Sequence, residues 1–261
     1  WTHDSWAYAN NVGRQMVKEG GDTWFVLAAD YVFGKILTND LTAVVEKSGG
    51  KISGSVAHPV GTNDFSSFLL QAQNSKAKVI ALGNSGGDAA NAVKQAAEFG
   101  LTQSGKQRLA GLFMTLPDIR ALGTKLTQGM YLSTTFYWDK NDGTRAFTKE
   151  ISSRNKGIYP DAPQAGVYSA ILHYAKAVES AQTDVGDKVI AAMKKIPTDD
   201  PLFGSGRVRA DGRKIHPVYL MQVKTPQEST GPYDVYKIVA TTPAEEAFQP
   251  MAEAGCPLVK K

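Results

Sequence analysis

The strongest constraint on the fold is an alternation of short apolar runs with amphipathic helical windows between Thr23 and Phe136. Residues 23–28 form a strand-sized apolar run, and residues 33–48 have helical periodicity that ends at a pair of glycines. Parallel strands need a crossover of about a dozen residues, usually a helix, so the alternation predicts a parallel sheet with helices on both faces. The other predicted strands are residues 51–57, 78–83, 108–113 and 129–136, and the other predicted helices are residues 5–19, 63–73 and 88–99.

The pattern changes after Phe136. Three helical windows, residues 143–156, 164–182 and 187–195, follow one another without an intervening strand. Residues 205–209 and 215–223 are then predicted strands, joined at an Asp211-Gly212 hairpin signal, and residues 233–239 are a last strand. The three helices therefore lack an obvious sheet to pack against.

Parallel sheets of this kind bind ligands beyond the carboxyl ends of their strands. Aromatic and small polar residues occupy these positions, and small-molecule sites combine apolar walls with a few directional hydrogen-bonding groups. The predicted hydrogen-bond donors are Tyr31, Asn84, Ser85 and Thr115, and the predicted apolar walls are Phe33, Phe113 and Met114.

Several other kinds of chemistry lack sequence support. The four histidines are isolated from one another, there is one cysteine, and no Walker A, G-x-G-x-x-G or H-E-x-x-H motif is present. No apolar run approaches the roughly 20 residues of a membrane span. We therefore predict no metal and no cofactor.

The charged residues are interpreted as surface features. The formal charge is +4, but the basic residues are scattered, so no nucleic-acid partner is predicted. The nearest approach to a basic stripe flanks the Asp211-Gly212 turn and is expected on the solvated face of a hairpin; it consists of Arg207, Arg209, Arg213 and Lys214. Asp199 and Asp200 are expected in a solvated turn before Pro201.

One motif supports an enzymatic alternative. Gly83-Asn84-Ser85-Gly86-Gly87 matches G-x-S-x-G between a predicted strand and a predicted helix, the setting of a hydrolase nucleophile. By chain order, His173 or His216 would serve as the base, but neither follows a strand end of the parallel sheet. The favoured interpretation is that small residues let the backbone approach a ligand, with Ser85 and helix amides as donors.

Three segments together resemble a known family. They are Ala29-Asp30-Tyr31-Val32-Phe33-Gly34-Lys35, Gly61-Thr62-Asn63-Asp64-Phe65-Ser66 and Lys94-Gln95-Ala96-Ala97-Glu98-Phe99-Gly100-Leu101. They closely resemble type I periplasmic solute-binding proteins of the branched-chain amino acid ABC transporter class. The resemblance continues through Gly129-Met130-Tyr131, residues 163–180, Gly204-Ser205-Gly206 and Asp211-Gly212, and so spans essentially the whole chain.

The resemblance implies an α/β fold in which two Rossmann-like lobes with parallel sheets, joined by three crossovers, close around a solute. Such proteins are periplasmic, are not enzymes, and deliver the solute to an ABC permease. The implied boundaries are a first crossover at residues 1–4, the second lobe at 5–136, a second crossover at 137–139, first-lobe helices at 140–201, a third crossover at 202–206, and a return to the second lobe with a C-terminal tail at 207–261. His3 and Asp4, at the first crossover, are weaker ligand-binding candidates.

The resemblance also narrows the ligand class. Amino-acid-binding members place a carboxylate after the strand equivalent to residues 108–112, where it pairs with the ligand ammonium. This chain has Phe113-Met114-Thr115 there, and its first acid is Asp118. Because an unpaired buried ammonium is costly, an aromatic or apolar carboxylate is favoured over an α-amino acid. The Ala-Asp-Tyr-x-Phe-Gly motif is likewise similar to soil-bacterial members of the family that bind aromatic acids.

A third alternative for the function, after the solute receptor and the serine hydrolase, is the ligand-sensing core of a regulator.

The implied first lobe is incomplete in this sequence, which leads to two expectations. The parent protein should carry a signal peptide, and Cys256 should pair with a cysteine upstream of Trp1. Helix faces of residues 140–201 should lack their sheet, so either an N-terminal segment stays associated or two chains form a non-physiological dimer. The side chains expected on those faces are Phe147, Ile151, Ile171, Leu172, Val189 and Ile190.

Overall fold

The structure is a computed structural model that describes residues 1–101, 105–257 and 259. Its first half contains α1 (Ser5–Lys18), β1 (Thr23–Ala29), α2 (Val32–Lys47), β2 (Lys51–His58), α3 (Ser66–Asn74), β3 (Val79–Gly83), α4 (Gly86–Glu98), β4 (Arg108–Gly111), α5 (Leu116–Leu122), α6 (Thr124–Thr127) and β5 (Tyr131–Thr134). Its second half contains α7 (Asp142–Arg154), α8 (Ala162–Ala181), α9 (Gly186–Lys195), β6 (Thr198–Asp200), β7 (Gly204–Val208), β8 (Lys214–Ile215), β9 (Val218–Val223), β10 (Tyr236–Thr242), α10 (Ala244–Ala247) and α11 (Met251–Ala254).

The chain divides into two compact units. The parallel-sheet unit consists of Asp4–Thr134 and Tyr219–Thr241, and the helical unit consists of Trp1–His3, Thr135–Val218 and the described residues from Thr242 onward. The chain passes from the helical unit to the parallel-sheet unit between His3 and Asp4, within the predicted first crossover. It returns to the helical unit between Thr134 and Thr135, shortly before the predicted second crossover at residues 137–139. The third boundary falls after Val218 instead of at residues 202–206. Residues 207–218 thus group with the helical unit in this division, and the predicted third crossover at residues 202–206 remains a prediction.

The parallel-sheet unit is built on a sheet whose strands, within the described ranges, run in the order β10-β9-β5-β4-β3-β1-β2. The pairs β1–β2, β1–β3, β3–β4 and β4–β5 are parallel, and β9 is antiparallel to β5. All five residues of β3 are buried, as expected for a central strand covered on both faces. The predicted parallel sheet with crossover helices is confirmed.

The core on one side of this sheet is packed by α1 and α2. Met16 of α1 and Leu37 and Leu41 of α2 are fully buried against Trp24 of β1. The Trp24 indole N–H donates to the Gly21 carbonyl at 2.6 Å, so its one polar atom is satisfied inside the apolar core.

One predicted strand is divided in the structure. Residues 215–223 form β8 and β9, which belong to different sheets. Pro217 lies between them, and its ring nitrogen has no N–H to donate to a strand partner. β8 therefore ends at Ile215, and β9 begins at Val218 and pairs with β5.

The helical unit has a small sheet of its own. In the described part of this unit, β6, β7 and β8 form an antiparallel sheet in that order. The predicted hairpin is confirmed, since Arg207 pairs with Ile215 and Val208 with Lys214 around the Asp211-Gly212 turn. Gly212 has a φ of +87°, a conformation that glycine adopts without steric cost.

The expectation that Lys214 lies on a solvated hairpin face is wrong. Its ammonium is fully buried and donates to Asp200 Oδ2 and to Ser169 Oγ, both at 2.8 Å. The Trp1 indole donates to Ser169 at 2.7 Å, and Ser169 donates to Asp200 at 2.7 Å. Asp200 Oδ1 also accepts the backbone N–H groups of Leu202 and Phe203.

Asp200 is therefore a buried anchor of the unit and not part of a solvated turn. Burial alone would raise its pKa, but hydrogen bonds from Lys214 and Ser169 hold the pKa of this carboxyl below its ordinary value. The carboxylate stays ionised beside the ammonium. This is the arrangement in which a buried charge is tolerated, because each ion has a partner and further hydrogen bonds.

His216 is also buried in this unit. Its Nδ1 donates to the Pro217 carbonyl at 2.9 Å, and its ring packs between Phe203 and Phe248 at centroid distances of 4.8 and 5.0 Å. Burial lowers the pKa of the imidazole to about 3, and the nearby Lys214 charge acts in the same direction. The folded protein therefore holds His216 neutral at every pH near neutrality.

This burial predicts a loss of stability in mild acid. An unfolded-state histidine protonates near pH 6.5, whereas His216 stays neutral in the folded state, so stability is fully present above pH 6.5 and declines as the pH falls toward 3. Between pH 7.5 and 4.5 we expect His216 to remove about 2–3 kcal/mol from the free energy of unfolding. Urea denaturation across this range measures the loss, and His216→Asn should flatten it. An equally steep decline in that variant would contradict the assignment.

An exposed apolar face lies on α8. Val167, Tyr168, Ile171 and Tyr174 share one side of this helix and are between 43 and 63% exposed. The predicted uncovered surface is thus present at Ile171, and Ile190 of α9 is also exposed. The prediction of an uncovered surface is wrong at Phe147, which packs against Phe136 and Tyr168, and at Val189, which packs against Ala177 and Met193.

Candidate solute-binding site

The carboxyl ends of β1, β3 and β4 carry most of the predicted site residues, all within the parallel-sheet unit. Four aromatic rings form a continuous row there. Phe33 and Phe113 make an edge-to-face contact with centroids 5.2 Å apart, Tyr31 lies 6.0 Å from Phe33, and Tyr8 lies 6.1 Å from Phe113. Phe33 and Phe113 are half-buried, whereas Tyr31 is exposed. The row is an apolar wall with one accessible end.

The turn from β1 into α2 brings Tyr31 and Phe33 to this position. Tyr31 precedes the first residue of α2, and its N–H donates to the Ala29 carbonyl at 2.8 Å. Gly34 then packs directly on that carbonyl group, so closely that a Cβ at this position would overlap the oxygen. The close approach explains why a glycine follows the aromatic pair.

Asn84 lies at the end of β3 but is fully buried. Its Nδ2 lies 3.2 Å from His58 Nε2, and His58 Nδ1 donates to the Pro59 carbonyl at 2.8 Å. Because Nδ1 carries the proton, Nε2 of the neutral ring is the acceptor for the Asn84 amide. The expectation that this amide donates to a ligand is corrected: it donates to His58. Among the described residues, Asn84 Oδ1 has no hydrogen-bond partner.

Ser85 is the residue before α4. It is half-buried and has extended backbone angles, and among the described residues its side chain makes no capping bond to the first amides of α4. An uncapped helix start of this kind offers hydrogen-bond donors to an anionic group. Asp88, in the first turn, directs its carboxylate to the Gly61 N–H at 3.1 Å.

Thr115 and Met114 do not have their predicted roles. The Thr115 hydroxyl donates to Asp118 Oδ2 at 2.7 Å and caps α5, so its proton is used within the chain. Met114 is 2% exposed and packs on Gly111, where an added Cβ would lie 2.9 Å from its Cγ. Thr115 is a helix cap, and Met114 is a core residue.

The two crossover candidates receive different assignments. Asp4 caps α1 by accepting the Ala7 N–H at 2.7 Å, which gives it a structural role. His3 belongs to the helical unit and is half-buried. A ligand-binding role for either residue remains a prediction.

Neither histidine that chain order offers as a base is hydrogen-bonded to Ser85 in the described part of the chain. His216 Nδ1 donates to the Pro217 carbonyl at 2.9 Å. His173 Nε2 is engaged with the Met193 carbonyl at 2.9 Å, and His58 Nε2 accepts from Asn84. Ser85 also has ordinary extended backbone angles and not the strained turn of a nucleophile elbow.

Tyr8 and His58 were not among the predicted ligand-binding residues. Tyr8 lies in α1, far along the chain from the strand ends, and nothing in its local sequence indicates the contact with Phe113. His58 is the last residue of β2, so the rule that ligands bind at strand ends was sufficient to find it.

Within the ranges that the structure describes, no cluster of three or more histidine, cysteine, aspartate or glutamate side chains could hold a metal ion. None of the helices formed by these residues combines the length and hydrophobicity needed to span a bilayer. Cys256 forms no disulfide in the described part of the chain, and its pairing with an upstream cysteine remains a prediction.

Comparison with known proteins decides the family. Residues 1–231 match the family model described as periplasmic binding protein. The chain belongs to the periplasmic binding protein family. The predicted resemblance and the type I periplasmic-binding-protein fold are both confirmed.

Individual relatives support this placement in the periplasmic binding protein family. Leu/Ile/Val-binding protein homolog 6 of Brucella melitensis is 25% identical over 237 residues, which cover 87% of this chain and 59% of that protein. The chain thus spans about 59% of the length of this curated relative.

Two solved structures are closer in sequence. A periplasmic binding protein from Burkholderia mallei is 45% identical, with a TM-score of 0.89, over 100% of this chain and 68% of that one. A branched-chain amino acid ABC transporter periplasmic ligand-binding protein from Burkholderia xenovorans LB400 is 36% identical, with a TM-score of 0.93, over 98% of this chain and 68% of that one.

Proposed function

We propose that the protein is the solute-binding component of an ABC importer, which captures a small carboxylate in the periplasm and delivers it to a membrane permease without chemical change. Membership of the periplasmic binding protein family supports this proposal. The observation that carries it is the aromatic row of Tyr8, Phe113, Phe33 and Tyr31 at the strand ends. The start of α4 follows β3, which lies between β1 and β4 in the sheet, so its uncapped amides emerge at the same edge. An apolar wall next to hydrogen-bond donors suits a small organic acid.

An aromatic or apolar acid fits this wall better than an α-amino acid. The only acid close to the end of β4 in sequence is Asp118, and its carboxylate already accepts the Thr115 N–H at 2.9 Å and the Thr115 hydroxyl. An ammonium group brought to this side of the site would lack a dedicated counter-charge, and burying it unpaired would be costly. Branched-chain amino acids are the second candidate ligands, because the names of the relatives point to them.

Isothermal titration calorimetry with benzoate and with L-leucine separates the two candidates. The proposal predicts measurable heat of binding for benzoate and much weaker binding for leucine. Tighter binding of leucine would overturn the ligand assignment and leave the receptor function standing. Binding of neither, together with labelling of Ser85 by a fluorophosphonate probe that Ser85→Ala abolishes, would overturn the receptor function in favour of a hydrolase.

Removing one ring of the row should weaken binding. Phe113→Ala deletes the ring that contacts both Phe33 and Tyr8, and we expect a loss of about 1–3 kcal/mol in the free energy of benzoate binding. Phe99→Ala, at the opposite end of α4, is the matched control and should leave affinity unchanged. Calorimetry measures both, and an unchanged affinity in Phe113→Ala would remove Phe113 from the site.

A further inference from the structure

Two of the segments that carry the family resemblance, residues 61–66 and 94–101, meet in the structure. Gln95 Nε2 donates to the Asn63 carbonyl at 2.8 Å, and Gln95 Oε1 accepts the Phe65 N–H at 2.7 Å. Both backbone groups belong to the β2–α3 loop, residues 59–65, outside any strand or helix. One side chain of α4 therefore satisfies a donor and an acceptor of this loop.

Two more residues of α4 hold the same loop. The Asp88 carboxylate accepts the Gly61 N–H, and Asn91 Nδ2 donates to the Thr62 carbonyl at 3.4 Å. Asp88, Asn91 and Gln95 are spaced by three and four positions and so share one face of the helix. We refer to these three side chains as the α4 ladder.

The loop held by the ladder connects directly to the candidate site. It begins after His58, and the Thr62 hydroxyl and His58 Nδ1 both donate to the Pro59 carbonyl, at 2.6 and 2.8 Å. Phe65, at the other end of the loop, packs edge-on against the His58 ring with centroids 4.8 Å apart. His58 in turn accepts from Asn84, the residue before Ser85.

We propose that Asp88, Asn91 and Gln95 are positioning residues for solute binding, which act through the β2–α3 loop and the His58–Asn84 pair to fix Ser85 and the start of α4. This inference rests on the proposed function of the strand-end site. The ladder contributes pre-organisation: a loop that is already ordered does not lose conformational entropy when a solute binds, so affinity is higher. Asn84 is fully buried, and its partner His58 packs on Phe65 at the end of the loop, so the Asn84–His58 bond is connected to the position of the loop.

The test compares three variants in one helix. Gln95→Met removes both bonds to the loop, and Gln95→Glu keeps an acceptor for the Phe65 N–H. Val93→Ala destabilises the same helix from a buried position on the side of α4 opposite to the α4 ladder. Amide hydrogen exchange and NMR titration with benzoate give loop opening and affinity, and urea denaturation gives global stability.

The inference predicts that Gln95→Met accelerates exchange of the Phe65 amide by at least about tenfold and raises the benzoate Kd by about three- to tenfold. Gln95→Glu should restore protection of the Phe65 amide, and Val93→Ala should leave the Kd unchanged despite its lower stability. Unchanged exchange or affinity in Gln95→Met, or an equal loss of affinity in Val93→Ala, would overturn the inference. The wild-type protein is titrated with benzoate first. If it does not bind, the proposed ligand is contradicted, and this result is separate from any difference between the variants.

Discussion

Replacing Lys214 with methionine is expected to lower the free energy of unfolding by about 3–5 kcal/mol, because the substitution leaves the Asp200 carboxylate buried without its counter-ion. Methionine fills a similar volume, so the loss reports the charge and the hydrogen bonds more than a cavity. Urea denaturation at pH 7 measures the effect.

A double-mutant cycle isolates the pair. Asp200→Asn keeps an acceptor for the Leu202 and Phe203 N–H groups, so the double variant with Lys214→Met should be more stable than the sum of the single losses predicts. Lys78→Met is the matched control, since Lys78 and Asp22 form a bond of similar length, 2.7 Å, with both side chains about half exposed. That variant should change stability little. Equal losses at the two sites would contradict the assignment of a buried network.

Substituting Gly34 with alanine is expected to destabilise the protein by at least about 3 kcal/mol. The new Cβ would overlap the Ala29 carbonyl oxygen and lie 3.0 Å from its carbon, and neither is the flexible end of a side chain that can move away. The turn from β1 into α2 must open to relieve the overlap. Tyr31 and Phe33 are carried by this turn, so benzoate affinity should fall as well.

Gly87→Ala is the matched control for this substitution. Gly87 lies in the first turn of α4, a Cβ there would meet no atom within 4 Å, and its φ does not lie in the left-handed region. Because alanine favours helix over glycine, this variant should be as stable as the wild type or more stable by up to about 1 kcal/mol. Thermal or urea denaturation compares the two, and similar stability of both variants would show that Gly34 does not pack on the carbonyl as described.

The parallel sheet was predictable because each central strand is buried on both faces, as at Val79–Gly83, and is followed by an amphipathic helix. Helix starts were less predictable. The third helix was expected from residue 63, but the Asn63 carbonyl accepts the side-chain N–H of Gln95, a residue of another helix, instead of a helical N–H, and α3 begins at Ser66.

The candidate site was predictable in its position and only partly in its contacts. Strand ends locate Tyr31, Phe33 and Phe113 correctly relative to the sheet, since that rule depends only on topology. The role of Thr115 was readable from the Thr-x-x-Asp spacing, which is the signature of a capping box.

Burial of a charged group was not readable from local sequence. Lys214 stands in a basic stretch that is typical of a solvated hairpin, and its partners Ser169 and Asp200 are 45 and 14 residues away. A tertiary contact of this kind is fixed by how the elements pack, and no local pattern encodes it.

The proposed function requires that an aromatic carboxylate bind at the strand ends of the parallel-sheet unit. NMR titration of the isotopically labelled protein with benzoate tests it most directly. We predict that the largest shifts occur at Tyr31, Phe33, Ser85 and Phe113. Shifts centred on the β7–β8 hairpin or on α8, or a spectrum unchanged by benzoate and shifted by leucine, would contradict the claim.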